Sequence, residues 1–229
     1  MESGRGIFIG NTVTQLASGL NTFMYTITNG TCKSFDRVDI INNKPTTPNA
    51  GYDRSICVDN VQLSANATLV GSGAWTIING SGTFSSMVVN NPTVTNLAFG
   101  DNIFRWTITN NGCTEHDEVI IANNFILATA GEDETFCYDS IQLKASNPLP
   151  GIGTWTILEA SAAVFENQNA PNTKVRNLSK GTNSFRWSVT NKGCVSYDDV
   201  IITNNEPTRA LAGENQSICS KSTNLYAND

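Results

Sequence analysis

The chain has 229 residues, a formal net charge of −6, six cysteines and a single histidine. So few basic residues exclude a nucleic-acid footprint, which needs Lys and Arg clustered on one face. No apolar run reaches the roughly 18 residues of a membrane span, and Met1-Glu2-Ser3-Gly4-Arg5-Gly6 is not a signal peptide, because no apolar segment or small-residue cleavage site follows it.

Residues 1–44 read as the back half of a unit. Thr12-Val13-Thr14-Gln15-Leu16 is a short strand, Gly19 a turn, and Asn21-Thr22-Phe23-Met24-Tyr25-Thr26-Ile27-Thr28-Asn29 a long strand that turns at Cys32 into Arg37-Val38-Asp39-Ile40-Ile41. The same series returns 81 residues later, with Asn102–Asn110 before Gly112-Cys113, and again after 81 more, with Asn183–Asn191 before Gly193-Cys194. Alternation in these stretches is strict. Phe104, Trp106 and Ile108 point one way and Arg105, Thr107 and Thr109 the other, the pattern of a strand buried on one face. A fixed period of this length defines a tandem array of small domains.

Residues 45–124 form the first complete unit. Its entry, Lys44-Pro45-Thr46-Thr47-Pro48-Asn49-Ala50-Gly51, has two prolines and a glycine and reads as a linker. Ser55-Ile56-Cys57 and Val61-Gln62-Leu63-Ser64-Ala65 are short strands around an Asp59-Asn60 turn, Ala74-Trp75-Thr76-Ile77-Ile78 is a core strand, and Asn79-Gly80-Ser81-Gly82 is expected to close a hairpin. Residues 125–205 repeat this order around Trp155, and residues 206–229 begin a further unit. About seven short strands per unit, with no helical period, predict an all-β fold of Greek-key β-sandwiches.

The cysteines keep the same register. Cys32, Cys113 and Cys194 lie 81 residues apart, and Cys57, Cys137 and Cys219 lie 80 and 82 apart. No close cysteine pair and no nearby histidine support zinc, so oxidation is expected. The preferred pairing is within a unit, Cys57 with Cys113 and Cys137 with Cys194. Pairing across a linker, Cys113 with Cys137 and Cys194 with Cys219, and a staple from Cys57 to Cys194 remain open.

Ala50-Gly51-Tyr52-Asp53-Arg54-Ser55-Ile56-Cys57 and Ala130-Gly131-Glu132-Asp133-Glu134-Thr135-Phe136-Cys137, each with a later Gly-Cys turn and a closing Asp/Glu-Val-Ile-Ile strand, resemble the PKD-like and Ig-like tandem repeats of Bacteroidota cell-surface proteins. The resemblance spans essentially the whole chain. It implies an elongated array of Ig-like repeats, 45–124 and 125–205 complete, 1–44 and 206–229 partial. It also implies type IX secretion, as in gliding-motility adhesins, and O-glycosylation at Asp139-Ser140-Ile141, with Ser140 as the acceptor.

No catalytic constellation is evident. His116 stands where the other copies have Phe35 and Tyr197, and no Ser or Thr has a general base beside it. Asp53, Glu132 and Asp133, at the unit entries near the Asn42-Asn43 and Asn123-Asn124 pairs, are the candidate ligands for Ca²⁺, which takes six to eight oxygens; no other cofactor is expected. Arg105 and Arg186 suit either a ligand or a cross-strand carboxylate. The function expected is a stalk or spacer of an extracellular fibre or adhesin, partnered by neighbouring repeats of the same or an identical chain, with filament building through the partial ends as a sharper form. The alternatives are a recognition module for surface glycans or proteins and an accessory domain of a secreted enzyme.

Overall fold

The computed structural model describes residues 3–159 and 161–228. They contain strands and no helices, and the chain divides into two units, residues 1–125 and 126–229.

The first unit holds β1 (Ile7–Ile9), β2 (Thr12–Thr14), β3 (Gly19–Asn29), β4 (Cys32–Asn42), β5 (Arg54–Ile56), β6 (Val61–Gln62), β7 (Ser72–Asn79), β8 (Thr83–Phe84), β9 (Thr93–Thr95), β10 (Gly100–Asn110) and β11 (Cys113–Asn123). Strands β5–β11 make a sandwich. One sheet has the order β5-β11-β10-β7 and the other β6-β9-β8. The hairpin β10–β11 is in register from Gly100 opposite Asn123 to Asn110 opposite Cys113. Its two-residue turn needs both backbones at positive φ, and Asn111 and Gly112 supply them at 44° and 84°.

The expected alternation is observed. Phe104, Trp106 and Ile108 are buried, and they meet Leu63, Trp75, Val94, Val119 and Ile121 between the sheets. Trp75 lies directly opposite Trp106 with ring centroids 5.2 Å apart, an arrangement in which two large rings fill the middle of the core. Gly73 makes room for it: a Cβ there would stand 2.2 Å from the Trp106 ring.

One turn differs from expectation. Asn79-Gly80-Ser81-Gly82 closes no hairpin, because β7 belongs to the four-stranded sheet and β8 to the other. The chain crosses between sheets here, with Gly80 at φ 80° pressed against Asn102, whose Oδ1 accepts the Ser81 N–H at 3.0 Å.

Residues 3–42 repeat the later part of the sandwich. Ser3 bridges to Thr22, and Phe8 packs edge-on to Phe23 at 5.3 Å, as Phe84 packs on Phe104 at 5.5 Å. The first residues therefore lie over the long hairpin, and Phe23 is buried. Further along, among the described residues no strand flanks the hairpin β3–β4, and Tyr25 and Ile27 are 71% and 59% exposed where Trp106 and Ile108 are 1% and 0%.

The second unit holds β12 (Glu134–Phe136), β13 (Ile141–Gln142), β14 (Ile152–Ile157), β15 (Val164–Phe165), β16 (Lys174–Arg176), β17 (Gly181–Asn191) and β18 (Cys194–Asn204), in sheets β12-β18-β17-β14 and β13-β16-β15. Its core repeats the first, with Trp155 opposite Trp187 at 5.2 Å. Residues 206–228 carry no strand. Leu211 and Asn228 nevertheless exchange the same pair of hydrogen bonds as Asn49 and Asn66.

Candidate functional site

The features that recur most closely in the two sandwiches lie where the chain enters and leaves them. At the entry, the Ala50 N–H donates to Asp117 Oδ2 and the Ile120 N–H to Asp53 Oδ1, both at 2.8 Å. Ala130 with Asp198 and Ile201 with Asp133 repeat both bonds at 2.8 Å. Gly51 and Gly131 stand between them at φ 97° and 96°, each where a Cβ would approach a carbonyl oxygen to 2.8 Å, a position only glycine fits. The shared Ala-Gly-x-Asp sequence thus docks the incoming chain on the last strand.

At the exit, the buried Asn123 donates from Nδ2 to the Leu97 oxygen and accepts the Phe125 N–H, and the Asn124 N–H donates to the Ile56 oxygen at 2.9 Å. Asn204 and Asn205 repeat these contacts with Leu178, Glu206 and Phe136. A third grip holds the start of each long strand. Asn102 Nδ2 donates to the Ala98, Gly100 and Ile121 oxygens at 2.9, 3.1 and 3.3 Å, and Asn21 and Asn183 make the equivalent bonds. These amides satisfy backbone groups that burial would otherwise leave without partners.

The carboxylates singled out as calcium ligands are engaged in this docking. Asp53 and Asp133 each accept an edge N–H, while Glu132 is exposed beside them. Among the described residues no group of three or more His, Cys, Asp or Glu side chains converges as a metal site would require.

The cysteines depart from the preferred pairing. Cys57 and Cys194 are disulfide-bonded, whereas Cys113 and Cys137, like Cys32 and Cys219, are exposed free thiols. Pairing within a unit fails on distance. Ile56, next to Cys57, lies opposite Asn123 at the end of β11, and Cys113 begins that strand. Ten residues at about 3.3 Å each separate the two levels by roughly 33 Å, and a disulfide needs Cα atoms within about 7 Å.

Arg105 lies opposite Glu118 in the hairpin register and donates to it at 2.9 and 2.6 Å. Arg186 makes a bidentate pair with Asp199 at 2.7 and 2.9 Å and stacks over Tyr197 at 4.0 Å. Hydrogen bonding to Arg186 lowers the Asp199 pKa below its ordinary value, and the same bond raises that of Arg186. His116 is exposed opposite Thr107, and Ser140 is half-buried in the bend before β13.

One groove does not recur. Asn49, Gly51, Tyr52, Arg54, Ser64 and Asn66 line a depression of about 370 Å³ with Tyr52 exposed at its rim. In the second sandwich the ion pair of Lys144 with Glu134, at 3.0 Å, covers the corresponding place and leaves about 10 Å³.

The chain is thus an all-β protein of tandem Ig-like β-sandwiches. No protein-family profile matches its sequence, and no curated protein matches it. Among solved structures it is similar to a three-domain immunoglobulin segment of titin, with 10% identity, a TM-score of 0.43 and coverage of 88% of this chain and 82% of that one. It is also similar to extracellular domains 3–5 of Drosophila OTK, with 10% identity, a TM-score of 0.40 and coverage of 84% and 74%. An endo-fucoidan hydrolase of glycoside hydrolase family 107 matches at 11% identity and a TM-score of 0.28, over 90% of this chain and 38% of that one. Among the described residues no helix is long and apolar enough to cross a membrane.

Proposed function

We propose that this chain is a stretch of an extracellular or cell-surface fibre, a stalk or adhesin body in which each sandwich adds length. One observation carries the reading: the two sandwiches agree in how they grip the incoming and outgoing chain, while part of what they present to solvent changes and the outward Arg105–Glu118 and Arg186–Asp199 pairs are kept. Asp53 and Asp133, Asn123 and Asn204, and Gly51 and Gly131 hold the junctions alike. Outward positions change, from His116 to Tyr197 and from the open groove at Tyr52 to the closed one at Glu132. Selection for a shared ligand would keep the outward set; selection for connection keeps the grips. The disulfide fits an oxidising location outside the cytosol. The reading is non-enzymatic, and Bacteroidota cell-surface repeats are the class that the entry sequences resemble.

Electron micrographs of this chain and of chains lengthened by whole repeats test the reading. The particle length is expected to grow by a constant increment per repeat. Specific, saturable binding on a glycan array by the unmodified chain would replace it with the recognition reading, for which the groove beside Tyr52 is the place to look.

A further inference from the structure

The groove beside Tyr52 is a place that the second sandwich fills with its own side chains, and what fills it there indicates what fits it here. We propose that the first sandwich binds the glutamate side chain of an extended segment of a partner protein, with the carboxylate on Arg54 and the methylene stem along the groove. The proposal goes beyond the reading of the chain as a stalk and does not depend on it.

The two places correspond residue by residue. Arg54 opens β5 opposite Ile121, and Glu134 opens β12 opposite Ile202. Ser64 and Lys144 are also equivalent, because a Cβ on Gly51 would meet the Ser64 oxygen at 2.8 Å and one on Gly131 the Lys144 oxygen at 2.8 Å. In the second sandwich the Lys144 ammonium meets Glu134 Oε1 at 3.0 Å, and the pair leaves about 10 Å³. In the first sandwich the long side chain is gone at Ser64, and the carboxylate is replaced by the cation Arg54. What remains is a groove of about 370 Å³ with the buried Ala50, Ala65 and Val119 in its lining. The occupant that restores the ion pair therefore has an unbranched apolar stem and a negative tip.

Arg54 is able to receive that tip. Arg105, Arg176 and Arg186 each pair with a carboxylate, whereas among the described residues Arg54 meets none and donates from Nη2 to the Gln62 oxygen at 2.5 Å. Its planar fork keeps further N–H groups for a carboxylate. Asp53 and Asp117, on the neighbouring backbone, accept the Ile120 and Ala50 N–H groups and do not line the groove. The main chain favours an extended peptide. The Leu63 and Ala65 N–H groups donate to the Pro92 and Asn90 oxygens, so the alternation of a strand turns the Ser64 N–H the other way, toward the groove. There the carbonyl of an added segment can accept it. A glutamate stem also matches the lysine stem that it replaces, which the ring of an acidic sugar does not.

Amide NMR titration of the full chain tests the site. The probes are acetyl-Thr-Val-Glu-Val-Thr-amide and the same peptide with Gln for Glu, each to about 10 mM, enough to fill most of a site of millimolar Kd. The glutamate peptide is expected to shift the Gly51, Tyr52 and Ser64 signals saturably. The glutamine peptide is expected to bind about tenfold more weakly, the worth of one hydrogen bond to a charged group. Arg54→Gln is expected to lose the same factor while the Trp75 and Trp106 indole signals stay in place. Arg54→Glu combined with Ser64→Lys is expected to close the groove as in the second sandwich and to abolish the shifts. Equal binding of the two peptides, undiminished binding by the double variant, or no saturable shift overturns the proposal. Free glucuronate moving the same signals as tightly as the glutamate peptide overturns it in favour of an acidic saccharide. Particle length in micrographs is unaffected by any of these outcomes, so the stalk reading stands or falls separately.

Discussion

Arg186 and Asp199 illustrate how a cross-strand pair affects the pH response. Asp199 titrates below the ordinary aspartate value of 3.8 because Arg186 hydrogen-bonds its charged form. A depressed carboxylate contributes stability that is complete above the unfolded pKa and fades as pH falls through the folded one. The contribution of this pair is thus intact at neutral pH and lost only in the acid range below 3.8; being exposed, the pair contributes little. Replacing Arg186→Gln is expected to return the Asp199 titration, followed by carboxyl NMR, to the ordinary range with only a small change in stability at neutral pH. An Asp199 that titrates as before would show that something else depresses it. The sequence offered a ligand or a cross-strand carboxylate for this arginine, and the register decides for the carboxylate. The buried asparagines were half legible. Asn102 shares the inward parity of Phe104, Trp106 and Ile108, so its direction followed from alternation; its partners, the Ala98, Gly100 and Ile121 oxygens, follow only from tertiary geometry.

At the scale of the element, the two-residue hairpin and the alternating long strands could be read directly, since positive φ at Asn111-Gly112 and a period of two have local causes. The crossing at Asn79–Gly82 could not. Glycines there suit a tight hairpin and a sheet-to-sheet crossing equally, and the contact of Gly80 with Asn102 that distinguishes them joins residues 22 apart. Packing also explains Gly73, which reads locally as a loop residue but lies within β7 against Trp106. Gly73→Ala must displace the buried Trp106 ring, and overpacking of this kind costs about 1–3 kcal/mol. Urea unfolding of the variant is expected to show that loss. An unchanged midpoint would mean that the two tryptophans can separate at little cost.

For the whole molecule, the repeat period, the all-β class and the number of strands were legible, because each is written in the sequence more than once. The partner of each cysteine was not, because the preferred pairing assumed that a unit is covalently complete. The long hairpin β3–β4 leads to a further expectation. Tyr25, Ile27 and Val38 are 71%, 59% and 55% exposed on a face that is buried in both sandwiches, and an uncovered apolar face with open strand edges favours association. Light scattering is expected to show concentration-dependent self-association of the 229-residue chain and a monomer for residues 45–205. A monomeric full chain at every concentration would rule this out. The parallel pairing of β5 with the end of β11 bears on how a fibre would respond to tension. A pull on the entering chain drags β5 one way while a pull on the outgoing chain drags β11 the other, so their three rungs, with the Asp53 bond to Ile120 alongside, are loaded in shear. Bonds loaded in this way must rupture together, whereas a hairpin peeled from its end gives way one rung at a time. With Cys57 and Cys194 reduced, an axial load on either sandwich would therefore be met first at this pairing of the first strand with the last, before the rest of the fold is strained.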